Sequence, residues 1–246
     1  MNTDYDPTIG YSPLECIDVE KVRKVIQVNK QIINEYYSPQ DGDLILVAGA
    51  GRGDEAVLIN QEFGIKTIGI DLNIARPALG EKSPGVVFQR QDLMALAFGN
   101  SVFSLVYSYH VIEHVTNHLV ALRELCRVLK PGGVLFIGFP NKNRLLSYIG
   151  TSQRVSALEK LKWNINDYLF RFKGKFENKY GAHAGFSEQE FVREASKVFS
   201  VVHPVRNQYM LLKYGKLRGV IRALVSTGMA EIIFPSNYYI CIKACL

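Results

Sequence analysis

Three groups of residues in this 246-residue chain have the types and spacing to do chemistry. The first is the turn Val47-Ala48-Gly49-Ala50-Gly51-Arg52-Gly53. Its glycines let the backbone approach a ligand with no Cβ in the way, and a helix N-terminus behind it would favour negative charge. The second is a pair of carboxylates, Asp71 and Asp92, each closing an apolar run. A carboxylate about 20 residues beyond a glycine turn, at the tip of the next strand, suits the hydroxyls of a ribose. The third is His110, Glu113 and His114, with His183 further along in Gly181-Ala182-His183-Ala184-Gly185. Imidazoles change charge near neutrality and can take a proton from a nucleophile. With a carboxylate beside them they could also hold a divalent metal.

The glycine spacing discriminates between two nucleoside cofactors. A dinucleotide fingerprint, G-x-G-x-x-G, would put its third glycine where Asp54 stands, and a carboxylate there would face a pyrophosphate. The turn is instead G-x-G-x-G, through Gly49, Gly51 and Gly53. A nicotinamide oxidoreductase is therefore disfavoured.

The elements that must position these residues follow from the apolar pattern. Leu44 to Ala48, Lys66 to Ile70, Gly85 to Gln89, Ser104 to Tyr109 and Val134 to Phe139 read as short buried strands, and Asp54 to Phe63 reads as a helix. Leu122, Leu125, Cys126 and Leu129 fall at i, i+3, i+4 and i+7, one apolar face of a second helix. Lys130-Pro131-Gly132-Gly133 then stops it, because proline cannot continue a helix and glycine can take φ > 0. Strands alternating with helices predict an α/β fold with a mostly parallel sheet, and ligands of such sheets bind at the strands' C-terminal ends. The motif residues all lie at those ends.

At this point the chain resembles the class I S-adenosylmethionine-dependent methyltransferases. The resemblance rests on Val47 to Gly53, on Asp71 and Asp92, and on Val111-Ile112-Glu113-His114-Val115. It continues through Ala121 to Gly133 and closes on Phe139-Pro140-Asn141, with a weaker match from His183 to Phe191. It implies a Rossmann-like, seven-stranded, mostly parallel sheet with helices on both faces. It also implies S-adenosyl-L-methionine as cofactor and a methyl acceptor with an oxygen or nitrogen nucleophile. Gly49, Ala50, Gly51 and Gly53 would line the methionine portion. Asp71 with Leu72 would meet the ribose, Asp92 with Leu93 the adenine, and Ser108 and Tyr109 would lie beneath. The family's acid two places before the first glycine is Val47 here, so Asp54 or Arg52 is expected to compensate. The H-x-x-E-H run looks like the E-x-x-E-H of certain metal-dependent members, but His110 replaces the first glutamate. No metal ligand is therefore assigned. His110 and His183 are assigned as candidate general bases, and Glu113 and His114 as structural.

Composition and length bound the rest. One enlarged domain is expected, with an N-terminal helical segment at 18–36, a cofactor-binding core at 41–140, a cap insertion at 141–183, and a C-terminal helix and strands at 187–246. Ser187 to Phe199 reads as the helix, N-capped by Ser187 with Glu190 three residues on, and Tyr238 to Cys245 as a strand, which the resemblance implies is the antiparallel one. Cys16, Cys126, Cys241 and Cys245 form no C-x-x-C pair and read as reduced, mostly buried thiols. No run approaches the roughly 18 to 20 apolar residues that cross a bilayer, and the first residues lack the order of a signal peptide, which predicts a cytoplasmic protein. Net charge is +6, and the segment 141–181, with nine Lys or Arg against three acids, carries an equal excess. That excess, with its aromatics, suits an anionic or amphipathic small-molecule, lipid or sugar acceptor. A solvated basic face is the plainer explanation, and nucleic acid is the less favoured partner.

Overall fold

The computed structural model of the protein describes residues 18–73, 83–147, 156–180 and 183–245. Its first helix, α1 (Val19–Ile33), is N-capped by Asp18 and precedes β1 (Leu44–Ala48), α2 (Asp54–Phe63), β2 (Lys66–Asp71) and β3 (Val86–Arg90). Then come β4 (Phe103–Tyr109), α3 (His118–Val128), β5 (Leu129–Pro140), α4 (Ala157–Phe172), α5 (Glu188–Ala195) and β6 (Val201–Pro204). The helices α6 (Arg206–Lys213), α7 (Arg218–Ser226) and α8 (Ala230–Ile233) precede the last strand, β7 (Ser236–Ile242).

The seven strands form one sheet in the order β3-β2-β1-β4-β5-β7-β6. Strands β1 to β5 pair in parallel, and β7 runs antiparallel to both β5 and β6. Burial alternates by face. Ile45, Val47, Leu105, Tyr107, Phe136 and Tyr238 face α1, α2 and α6, while Leu46, Ala48, Val106, Leu135, Ile137 and Tyr239 face α3 and α5. Strands covered on both sides must be apolar throughout, which is why they read as unbroken apolar runs rather than alternating ones.

Several expected boundaries move. Helix α3 ends at Val128, before Lys130-Pro131, and β5 begins at once. The pairing jumps from Phe103↔Leu129 to Leu105↔Val134, so the Lys-Pro-Gly-Gly residues form an irregularity inside the strand rather than a loop before it. The helix expected over 187–199 stops at Ala195, although its capping box forms as read: Ser187 Oγ accepts from the Glu190 amide and the Glu190 carboxylate accepts from the Ser187 amide. The last strand ends at Ile242, which leaves Cys245 exposed beyond it, while Cys126 and Cys241 are buried; Cys16 lies outside the described residues. The helices α6, α7 and α8 were not anticipated individually.

Between β5 and α5 stands the inserted segment, of which 148–155 and 181–182 lie outside the described residues. Its ends are fastened to the sheet, where Asn141 bridges Phe186 and the Phe186 amide donates to the Pro140 carbonyl. Gly185 makes that approach possible. It sits at φ +72, and a Cβ there would fall 1.7 Å from the Pro140 oxygen.

Candidate active site

The turn after β1 is built from backbone that needs glycine. Gly49, Gly51 and Gly53 have φ of 77, 51 and 86, in the left-handed region. A Cβ on Gly49 would meet Val111 Cγ2 at 2.1 Å, so glycine lets this turn pass the loop after β4. The amides of Gly49 and Ala50 both donate to the Ile70 carbonyl at 2.8 Å, fixing the turn against β2.

Asp71, at the end of β2, joins the first two sequence groups directly. Its Oδ2 accepts from the Gly51 amide at 2.8 Å and its Oδ1 from the Asn73 amide at 2.9 Å. Carboxylate oxygens carry two acceptor positions each, so these bonds leave room for ribose hydroxyls. Leu72, beside it, is exposed. Asp92, just beyond β3, accepts from the Met94 amide at 2.8 Å and shapes the next loop, while Leu93 turns its side chain into the core. Ser108 is fully buried beside Ala48 of β1, and its hydroxyl is without a hydrogen-bond partner among the described residues. Such a buried polar atom beside the glycine turn is what a polar ligand would satisfy. These residues fit a nucleoside with an attached amino acid.

Val47 lies in the core, 1% exposed. The two residues expected to compensate for it are engaged with each other, Arg52 Nε lying 3.6 Å from Asp54 Oδ2. A third carboxyl, missed in the sequence, stands on this face: Glu55, whose pKa is pushed up to about 7, first by burial and then by the neighbouring Asp54 charge. It acts electrostatically on Tyr107, the cross-strand neighbour of Val47.

Beyond β4 the backbone is strained. His110 has φ 57, uncommon for a non-glycine residue, and its amide donates to the Gly138 carbonyl at 2.8 Å. Its Nδ1 lies 3.3 Å from Glu113 Oε1, on a short 3-10 turn. Burial alone would raise the Glu113 pKa, but the His110 bond and the charges of His110 and His114 bring it below its ordinary value. The rings of His114 and His183 meet edge to face at 4.9 Å. His183 keeps solvent on one side, yet partial desolvation first, and then nearby His114, His110 and Arg144, lower its pKa against the pull of Glu113. Four predicted residues thus converge from two segments. Among the described residues no group of three or more His, Cys, Asp or Glu is placed to hold a metal ion.

Two further constellations were not singled out from sequence. Arg144, 3% exposed, donates to the carbonyls of Asn141, His183 and Ala184, to Ser147 Oγ, and to Asp167 Oδ2 at 3.0 Å. It therefore ties the inserted segment to the backbone of His183. Tyr109, expected beneath the cofactor, lies on the face of β4 opposite Ser108, among the residues packed on the α1, α2 and α6 side. Its ring stacks toward Tyr107 and Tyr238 and its hydroxyl lies 3.3 Å from that of Tyr238. Gly138 makes this possible, since a Cβ would strike both rings. Tyr209 stacks on Tyr238 at 3.9 Å, and Lys213, its pKa pushed down to about 8 by burial, donates to the Tyr209 hydroxyl at 3.1 Å. Residues 100 positions apart meet here, which leaves no local sequence signal.

A doubly wound sheet with an antiparallel β7, a glycine turn locked to an acid at the end of β2 and a second acid after β3 defines a nucleoside-binding α/β class. Comparison with known proteins narrows it. Residues 46–137 match the family described as methyltransferase domain. An O-methyltransferase, cnsE, of Penicillium expansum is 32% identical over 107 residues, 41% of this chain and 39% of that protein. The 2-methyl-6-phytyl-1,4-hydroquinone methyltransferase of a Synechocystis strain is 31% identical over 100 residues, 39% of this chain and 31% of that protein. In fold, the phosphoethanolamine N-methyltransferase 2 of Haemonchus contortus, solved with S-adenosylhomocysteine, aligns at a TM-score of 0.57 and 16% identity, over 92% of this chain and 57% of that one. The chain spans about two fifths or less of the length of these curated relatives. Residues 46–137 are thus those of a methyltransferase domain, in keeping with the resemblance to the class I S-adenosylmethionine-dependent methyltransferases. No helix among the described residues is long and apolar enough to cross a membrane.

Proposed function

We propose that the protein is an S-adenosyl-L-methionine-dependent methyltransferase acting on an oxygen or nitrogen nucleophile of a small-molecule, lipid or sugar acceptor. The observation that carries this reading is the Asp71 carboxylate bonded to the Gly51 amide. It couples the ribose-binding acid to the glycine turn at the C-terminal edge of the sheet. When bound, the cofactor supplies an already activated sulfonium methyl, so the protein's main task is alignment of an in-line displacement. Gly49, Ala50, Gly51 and Gly53 receive the methionine portion, Asp71 and Leu72 the ribose, Asp92 and Leu93 the adenine, and Ser108 offers its unsatisfied hydroxyl from below. His110, held against Glu113, and His183, whose pKa is lowered by partial desolvation and the neighbouring His114, stand ready to accept the acceptor's proton. Similar proteins are named for O-, N- and C-transfer, so kinship favours no one acceptor element.

A second reading, donor binding without turnover, is favoured by the buried Val47 and by the Arg52–Asp54 pair. One experiment separates them. Incubation with methyl-labelled donor and pools of alcohols, phenols and amines should give labelled product, and His110→Ala or His183→Ala should cut transfer by about 100-fold with donor affinity unchanged. Donor binding with no labelled product from any pool would establish the second reading and remove the first.

A further inference from the structure

Helix α4 presents its apolar stripe to solvent rather than to the protein. Leu158, Leu161, Ile165, Tyr168, Leu169 and Phe172 are all exposed, from 46% for Tyr168 to 91% for Phe172. At 100° per residue they fall within an arc of about 100°, a continuous band about 21 Å long. A surface helix of a globular protein normally turns such a stripe inward. Here the inward face is already occupied: Phe170 packs on Phe176 and Ala184, Asp167 binds Arg144, Asn164 binds Ser147, and Arg171 lies 3.9 Å over the Phe176 ring. The helix is capped at its start by a complete Ser156–Glu159 box, and its Asp167–Arg144 and Asn164–Ser147 contacts set which face turns inward. The band widens where the Tyr168 hydroxyl donates to the Leu145 carbonyl at 2.6 Å, since Leu145 and Leu146 are exposed as well.

We infer that this face docks on an anionic lipid surface. Lys162 and Lys173 border the stripe on the helical wheel, and the surrounding segment 141–181 carries six more positive than negative charges. Aliphatic side chains can sink about 5 to 10 Å to the boundary between headgroups and acyl chains, while the lysines reach lipid phosphates. A second copy of the chain is the weaker occupant, because a two-fold interface would set this positive segment against itself. Nucleic acid is weaker still, because most of the band is aliphatic and offers neither stacking nor hydrogen bonds. The inference is independent of the methyl-transfer reading. It would place the inserted segment, and the His183 that Arg144 holds, beside a membrane.

The test is sedimentation of the full chain with vesicles of phosphatidylcholine alone or with about 30% phosphatidylserine, the anionic surface that attracts juxtamembrane lysines. The wild type should sediment with the anionic vesicles and far less with neutral ones. The pair Leu161→Glu and Ile165→Glu should lower partitioning more than about tenfold, and Lys162→Glu with Lys173→Glu should remove the anionic preference by a similar factor. All four positions lie on the solvent side of α4, and unchanged circular-dichroism melting would confirm that the variants fold. Failure of the wild type to sediment with anionic vesicles would overturn the inference, as would variants that partition like the wild type. Dimerisation of the wild type without lipid, lost in the leucine–isoleucine variant, would also overturn it and assign the face to a second copy.

Discussion

Asp71 shows how one side chain can serve both the fold and a ligand. It lies at the end of β2 and accepts from two backbone amides, one of them in the glycine turn 20 residues earlier. Removing it leaves the Gly51 amide without that acceptor, at a cost of about 1 to 3 kcal/mol for each buried group left unpaired. Asp71→Ala should therefore lower the melting temperature and weaken donor binding by at least about 100-fold, through lost ribose contacts and a loosened turn. Isothermal calorimetry at matched temperature measures the second effect, and an unchanged affinity would sink the ribose assignment. The residue type and spacing were legible in the sequence because both belong to one strand-turn-helix-strand unit. Glu55 was not. Its pKa near 7 arises from the packing of α2 against the sheet beside Tyr107, a neighbour more than 50 positions away.

At the scale of elements, the inserted segment depends on one guanidinium. Arg144 donates to carbonyls at 141, 183 and 184 and to the Asp167 carboxylate, all within a buried environment. Replacing it by methionine would leave a buried carboxylate without its countercharge, which costs about 3 to 5 kcal/mol when one partner of such a pair is removed. Arg144→Met should speed backbone hydrogen exchange within 141–183 and reduce methyl transfer, because the carbonyl of the candidate base His183 loses its anchor. Donor affinity, set by the loops after β1, β2 and β3, should change less than about threefold, as expected for sites with no shared partners. Adding Asp167→Leu should recover part of the lost stability, since it removes the stranded charge. Equal loss of donor binding and transfer would show that Arg144 supports the whole site rather than this segment. The central strands and α2 were legible because burial on both sheet faces writes itself as apolar runs, whereas the mostly exposed edge strand β6 carries no such run. The ends of α3 and β5 were misread because Lys130 to Gly133 look like a helix stop followed by a loop, whereas the sheet carries them as an irregularity in β5. Nothing in α4 says locally which face will turn outward. Its inward face is selected by Arg144 and Phe176, which lie outside the helix elsewhere in the insertion.

For the molecule as a whole, the candidate cofactor site is assembled from loops after four neighbouring strands, β3, β2, β1 and β4. Of these, β1 and β4 supply buried residues to both hydrophobic clusters, so the site is lost when the sheet is lost. A ligand that binds there in the folded state alone must stabilise the whole domain, by about 2.7 kcal/mol at a free concentration 100 times its Kd. For a chain of this size that corresponds to a rise in Tm of about 5 to 11 °C. Each further tenfold in ligand adds about 1.4 kcal/mol, so the rise should continue logarithmically with concentration rather than saturate. Oxidised nicotinamide dinucleotide at the same concentrations should leave Tm unchanged. Its pyrophosphate would need backbone amides and a third glycine where Asp54 stands, and that carboxylate is 7% exposed and held in place near Arg52. The Asp71→Ala protein, still folded, should need at least about 100-fold more donor for the same rise. Scanning calorimetry of both proteins against both ligands separates a specific nucleoside site from general binding of anions or adenosine. A dinucleotide shift equal to the donor's would return the chain to the broader class of nucleotide-binding α/β proteins.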